Sequence, residues 1–184
     1  AEQNNLIPIF PALQPGGDYW DLSFLKKMLQ LVQQRKSLDF SANLHMAVSA
    51  QTFSRPLTWG KGASKRWKTL RPYSKTELGE EDHLGFNTWQ WYTELVKSAL
   101  NVTPKILLFW FGAASVEKNI LDTNLRFDDL LNITLEDNSK SGAESALPNE
   151  VLGCLFWLLS SAENDPMGKT AWFNENGQPK QQEL

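Results

Sequence analysis

The chain has 184 residues with a net charge of −3, and 41% of its residues are hydrophobic. With 8 Trp and 10 Phe it holds too much aromatic surface for a disordered chain, and its length suits one domain over residues 1–184. One cysteine and two histidines argue against a disulfide framework and a metal site, so we expect neither a metal nor a cofactor.

No apolar run reaches the roughly 20 residues that a membrane span requires. The sequence starts with polar residues, so we expect neither a signal peptide nor a membrane segment within it. The compartment of the protein stays open at this stage.

The first 50 residues predict two strands around a helix. The apolar run 6–10 is typical of a buried strand, and the turn residues 15–17 follow it. A helix is expected over 22–36 with Asp21 as its N-cap, since its apolar residues share one helical face. Residues 40–48 predict the second strand. The apolar face of the helix consists of Leu25, Met28, Leu29 and Val32.

The central part begins with a long irregular segment at 49–85. A helix is expected next, because Asn87 and Gln90 resemble a capping box and a helical apolar face continues to residue 99. Residues 105–111 form the clearest strand of the chain, apolar almost throughout and followed by glycine.

The last part begins with a mixed, mostly polar stretch at 115–145 and is predicted to hold two helices and a short strand. We expect a short helix near 127–131 and, after Pro148, an apolar helix over 151–159 that buries Cys154 by packing. A final short strand is expected at 168–173. The main face of the 151–159 helix would consist of Leu152, Leu155, Phe156 and Leu159.

Strands that alternate with helices indicate an α/β fold with parallel strands. Parallel α/β folds bind ligands at the carboxyl ends of their strands. In this chain the strand-to-helix connections are long and the helix-to-strand connections are short. We therefore expect the functional face at the carboxyl ends.

The segment 51–76 has the most unusual composition in the chain. It holds seven Lys and Arg and no acid, so its charge is +7 and the rest of the chain carries −10. It also holds four aromatic residues, which could stack on sugars or bases while the cations bind anionic groups. The structural alternative is that the aromatics fold the segment onto the sheet and the charges are solvated.

Isolated polar residues add weaker signals. His45 near a strand end could bind a ligand hydroxyl or be structural, and His83, beside three acids, is expected at the surface. Asp18 is a freer carboxylate than Asp21, which we expect to cap a helix. Motifs for nucleotide binding, serine hydrolysis and zinc binding are absent from the sequence.

Several stretches of the sequence together resemble the C-terminal half of cellulase-like (β/α)₈ glycoside-hydrolase proteins. The resemblance spans nearly the whole chain, from the first strand to the last apolar segment. The stretches that carry it are Ile7–Gly17 with Trp20 and Asp21, Pro56–Gly62, Arg66 and Trp67, Arg71–Tyr73, Gly85 and Phe86 with Trp91 and Tyr92, and Val151–Trp157 with Asp165, Gly168 and Trp172.

The resemblance implies half of a TIM-type barrel that carries strands five to eight. In that family a retaining enzyme has its acid/base after strand four and its nucleophile after strand seven, about 5 Å apart. The nucleophile would then follow strand 105–111, but Glu117 is the first acid there. The chain departs from the family at the catalytic residue, with Glu117 and Asp18 as the only candidates. A small open three-layer α/β sandwich is the alternative fold.

The sequence thus favours a non-catalytic, glycoside-hydrolase-like domain that binds carbohydrate at the carboxyl ends of its strands. An active glycosidase completed by an absent N-terminal half, a module for acidic glycans or nucleic acid, and a protein-interaction domain are the alternatives. We also expect the chain to form a homodimer or to dock onto a missing N-terminal half, because half a barrel leaves its edges open. The expected ligand contacts are Trp20, His45, Trp59, Trp67, Arg71 and Tyr73, together with Asp18.

Overall fold

The computed structural model describes residues 7–15, 19–35, 43–53, 55–66, 81–112, 133, 147–156, 160, 171 and 173–178. Its strands are β1 (Ile9–Phe10), β2 (His45–Gln51), β3 (Lys105–Gly112) and β4 (Val151–Phe156). Its helices are α1 (Asp21–Gln34), α2 (Ala63–Arg66) and α3 (Thr88–Leu100).

The four strands form one parallel sheet in the order β1-β2-β3-β4. The expected α/β class is therefore confirmed, and so is the parallel pairing of the first three strands. In the described residues the sheet is open, with β1 and β4 at its edges, which agrees with the open alternative predicted above.

One face of the sheet packs against α1 and α3. Side chains of a strand point alternately to its two faces, and Met46, Val48, Ile106 and Leu108 all point toward the helices, with exposures of 1% or less. The predicted helical faces supply the other half of this core. From α1 and α3 come Leu22, Leu25, Leu29, Trp91, Tyr92 and Val96.

The opposite face of the sheet, which we call the second face, carries no helix in the described part of the chain. Ala47 and Ser49 of β2 and Leu107 and Phe109 of β3 alternate with the core residues and so belong to it. All of them except Ser49 are only partly buried. The two faces are therefore different environments.

The prediction of a helix over 151–159 is wrong, because residues 151–156 form β4, parallel to β3. A short apolar run fits a buried strand as well as a buried helix. Only pairing with β3 decides between them. The predicted inner face is also reversed: Leu152 and Leu155 are exposed, whereas Val151 and Cys154 pack toward the core.

Strand β2 begins later than predicted. The sequence suggested 40–48, and the structure places the strand at His45–Gln51, with residues 40–42 outside the described part. The short helix predicted at 127–131 also lies outside it. Of the strand predicted at 168–173, Phe173 forms a single parallel bridge with Ser160.

Cys154 provides a pH test of β4. Burial raises the pKa of its thiol to about 11, because the thiolate is poorly solvated there. At about pH 8 the folded protein should carry about a hundredfold less thiolate than the unfolded chain, and iodoacetamide should alkylate it correspondingly more slowly. Between about pH 9 and pH 11 the unfolded thiol ionises while the folded thiol stays protonated, so the free energy of unfolding should fall as the pH rises through this range.

The chain has no other cysteine that could obscure this measurement. Rates would be compared across a pH series in buffer and in urea. Equal alkylation rates for the folded and unfolded chain at neutral pH would contradict the placement of Cys154 against the core.

Candidate functional site

Three aromatic side chains lie exposed at the start of α1, where the chain leaves the carboxyl edge of the sheet. Tyr19, Trp20 and Phe24 are 42%, 58% and 50% exposed. The rings of Tyr19 and Phe24 lie 5.6 Å apart between centroids, and the backbone N–H of Gln14 donates to the Tyr19 hydroxyl at 3.3 Å. We call these three residues the α1 aromatic patch.

A buried polar cluster is built around Asp21, the residue that follows Trp20 of this patch. His83 Nε2 is 3.0 Å from both carboxylate oxygens of Asp21, and the Tyr92 hydroxyl donates to Asp21 Oδ2 at 2.6 Å. The carboxylate accepts, so Nε2 carries the imidazole proton. All three side chains are at most 2% exposed. The cluster joins α1, the segment that follows residues 51–76, which we call the basic loop, and α3.

Two predictions about this cluster are wrong. The N-cap of α1 is Trp20, whereas Asp21 is the first helical residue and its side chain is fully buried. His83 was expected at the surface and is buried. The three acids beside His83 in the sequence suggested that its side chain faces solvent. Its actual partner is Asp21, which lies 62 residues away in the chain. An Asp–His pair also orients catalytic imidazoles, but this one is sealed from solvent and therefore holds segments together.

The described part of the basic loop is held by acids that follow it in sequence. The Arg55 guanidinium forms an ion pair with Asp82 and donates to the Leu84 carbonyl at 2.6 Å. It also lies 4.6 Å from the centroid of the Trp59 ring, whose Nε1 donates to Asp82 at 3.0 Å. Trp59 is therefore half-buried, with Arg55 stacked on one face of its ring.

Further hydrogen bonds fix Gly60 and Ser64 within the described part of this loop. The backbone N–H of Gly60 donates to Glu81 at 2.5 Å, and the Ser64 N–H donates to Glu94 of α3 at 3.0 Å. For Trp59, the part of the structural alternative that concerns the aromatics holds, because the ring is half-buried against the fold. For Arg55, the part that predicted solvated charges is wrong. Arg55 is paired with an acid in place of being solvated.

Asn87 occupies the N-cap position of α3, but the predicted capping box does not form. Its side chain makes no capping hydrogen bond to the backbone of the helix; its amide donates to the carbonyls of Leu57 and Trp59, both at 2.8 Å. Gln90 donates to the Asn87 side chain at 3.2 Å. The amide thus joins the basic loop to α3.

His45, a further predicted contact that the structure describes, does not join the patch. His45 is the first residue of β2, so it lies at the amino-terminal edge of the sheet, and its Nδ1 is 2.7 Å from the Asn43 carbonyl. The late start of β2 moves it away from the carboxyl edge where it was expected. Five predicted residues lie outside the described part: Asp18, Trp67, Arg71, Tyr73 and Glu117.

Sequence reasoning found Trp20 but missed its two neighbours. Phe24 lies off the apolar face of α1, so an exposed ring could have been expected there from the helical pattern. No sequence signal indicated the cluster of Asp21, His83 and Tyr92, because its members are far apart in the chain. Each of them is also an ordinary residue for the element in which it lies.

No group of three or more His, Cys, Asp or Glu within the described ranges could hold a metal ion. None of the helices described above is long and apolar enough to cross a membrane. Comparison with known proteins gave no significant match to a family model, a curated protein or a solved structure. Function must therefore be argued from the site itself.

Substitution of Gly60 tests how tightly the basic loop is held. Its φ of +68° is in the left-handed region, and an added Cβ would lie 2.6 Å from the Asp82 carbonyl oxygen. Gly60→Ala should lower the free energy of unfolding by about 2–4 kcal/mol, from backbone strain and this clash. Urea denaturation measures the loss.

Gly177→Ala is the matched control, since Gly177 has a φ of +75° with nothing within 4 Å of its added Cβ. It should cost about 1 kcal/mol, from backbone strain alone. Equal losses for the two variants would mean that the contact with Asp82 does not constrain the loop.

Proposed function

We propose that this chain is a glycoside-hydrolase-like, non-catalytic domain that binds neutral carbohydrate through the α1 aromatic patch. The observation that carries the proposal is the 58% exposure of Trp20 at the carboxyl edge of a parallel sheet. Exposed aromatic rings stack on flat apolar surfaces such as the faces of sugar rings. Parallel α/β folds use this edge for ligands.

The anchoring of Trp20 supports a binding role for its ring. Its backbone carbonyl accepts the N–H of Phe24 at 2.8 Å in the first turn of α1. The next residue, Asp21, is fixed in the buried cluster. A ring presented by a rigid backbone loses little conformational entropy when it binds.

The bonding within the basic loop favours a neutral ligand over an anionic polymer. Arg55 is the first cation of that loop, and Asp82 and the Leu84 carbonyl already engage it. A polyanion would have to compete with Asp82 for this guanidinium. Neutral sugars need no such cation, so they are the favoured class over acidic glycans and nucleic acid.

The end of β3 supports the absence of hydrolysis. A retaining glycosidase needs two carboxylates at the site, one of them a nucleophile. By the resemblance described above, the nucleophile would stand at the end of β3. The strand ends in Trp110, Phe111 and Gly112, none of which can attack a sugar carbon or hold a proton for one.

The finer architecture that we propose is half of a TIM-type barrel. In doubly wound sheets the strand order reverses and helices cover both faces. Here the order follows the chain, and the described helices α1 and α3 cover one face. Such a sheet has two open edges, and Ile9 of β1 and Leu155 of β4 are 45% and 49% exposed. Four further βα units, from a second copy or an N-terminal half, would cover them.

Trp20→Ala should weaken binding of neutral oligosaccharides by about tenfold or more, because the exposed stacking surface is lost. Isothermal titration and Trp fluorescence measure this with cello-oligosaccharides at two salt concentrations. Leu31→Ala is the control, since Leu31 is 44% exposed on the same helix but outside the patch. Neutral-sugar binding should not change with salt, whereas polyanion binding should weaken steeply.

Different results would favour the other functions. Salt-dependent binding of single-stranded DNA or an acidic glycan, without neutral-sugar binding, would favour the polyanion module. Turnover of an aryl glycoside that Glu117→Gln abolishes would show an enzyme. A folded protein that binds none of these ligands would leave a protein-interaction domain.

The half barrel has its own test in analytical ultracentrifugation. The chain should sediment above the mass of its 20.9 kDa monomer when it pairs with a second copy. Leu155→Glu should then return it to the monomer, because a charge at the edge of β4 opposes strand addition. Leu31→Glu places the same charge on α1 and should leave assembly unchanged. A monomer at high concentration that also fails to bind an added N-terminal half would contradict this architecture.

A further inference from the structure

A second aromatic site is suggested by the backbone at the carboxyl end of β3. Trp110 has a φ of +53°, the left-handed region that bulky side chains rarely adopt. The pairing register shifts at the same place on both sides, between Ser49 and Gln51 on β2 and between Leu108 and Phe111 on β3. These are the features of a β-bulge, which redirects a side chain.

The bulge brings two neighbouring rings together. In a regular strand, consecutive side chains point to opposite faces of the sheet. Here the rings of Phe109 and Trp110 lie 5.3 Å apart between centroids, so they share one side. Ile106 and Leu108 point to the core face, so Leu107 and Phe109, which alternate with them, belong to the second face. Trp110 is therefore turned toward the second face.

A buried hydroxyl lies beside this ring pair. Ser49 is the register partner of Phe109 on the adjacent strand, so the two side chains share the second face. Ser49 is 1% exposed, and its Oγ has no hydrogen-bond partner in the described structure. A buried hydroxyl without a partner is costly, and a ligand hydroxyl would satisfy it.

Backbone strain of this kind clusters at active sites, ligand sites and switch regions. Phe53 has the same conformation, with a φ of +51°, just after β2 and next in the sheet to β3. Two strained aromatic residues therefore mark the carboxyl ends of two adjacent strands. Neither residue belongs to the core against which the helices pack.

We propose that Ser49, Phe109 and Trp110 form a second subsite, separate from the α1 aromatic patch, that binds one neutral sugar ring. The rings stack on the apolar face of the sugar, and the Ser49 Oγ–H donates to a sugar hydroxyl. The sugar chemistry of this subsite rests on the proposed function, whereas the location rests on the bulge, the ring pair and the unpartnered hydroxyl.

Trp110→Gly is the most informative variant. Glycine adopts the left-handed conformation without strain, so the variant removes the ring and keeps the bulge. Titration with a neutral cello-oligosaccharide should show affinity reduced by about tenfold or one binding event lost. Trp110→Phe keeps an aromatic ring and should retain most of the binding. NMR of the indole N–H groups should show the Trp110 signal moving on titration and absent in both variants.

Ser49→Ala separates a ligand role from simple burial and does not depend on Trp110. If the hydroxyl binds sugar, this variant should keep or raise the unfolding temperature and weaken binding several-fold, by roughly the loss of one hydrogen bond. A raised unfolding temperature with unchanged binding would overturn the role of Ser49.

The proposals for the two sites can be contradicted independently of each other. Sugar binding that depends on Trp20 but is unaffected by Trp110→Gly and Ser49→Ala overturns the second subsite and leaves the proposed function standing. Binding that depends on Trp110 and Ser49 but not on Trp20 supports the subsite and overturns the role of the α1 aromatic patch. A folded protein that binds no neutral oligosaccharide overturns both.

Discussion

The hydrogen bonding of the buried Asp21 carboxylate is the interaction on which the rest of this structure depends. It is fully buried, and it accepts hydrogen bonds from His83 and Tyr92. A buried charge is tolerated only when it is paired and hydrogen-bonded, and removing one partner of such a group typically costs about 3–5 kcal/mol. The three residues come from α1, from the segment after the basic loop, and from α3. Their positions are therefore fixed relative to one another.

The same segment is held from its other side by the basic loop. Asp82 precedes His83 and binds both the Arg55 guanidinium and the Trp59 indole, while Glu81 accepts the Gly60 N–H. The positive charge that stands out in the sequence thus meets, in part, the acids at the end of the same connection. This pairing leaves Trp59 half-buried against Arg55. Trp20, next to Asp21 in sequence, is the most exposed aromatic side chain in the described part of the chain.

The two faces of the sheet have different roles. Packing of α1 and α3 stabilises one face, whereas the positive φ of Trp110 and a register shift on each side of β3 lie at the carboxyl end of that strand. A chain that keeps Trp110 in a left-handed conformation accepts a cost of about 1–2 kcal/mol there. Together with the unpartnered Ser49 hydroxyl, this cost is concentrated where parallel α/β folds bind ligands. Under the proposed function, stability and recognition are separated across one sheet.

The sequence by itself determined the elements whose periodicity is long and regular. The apolar faces of α1 and α3, the strand at 105–111 and the parallel α/β class follow from the spacing of apolar residues, a local property of the chain. Tertiary structure decided everything that depends on a distant partner. Residues 151–156 became a strand because β3 offers an edge to pair with, and His83 became buried because Asp21 needs a donor. Local pattern cannot encode such choices, since the free energy that decides them comes from contacts between residues tens of positions apart.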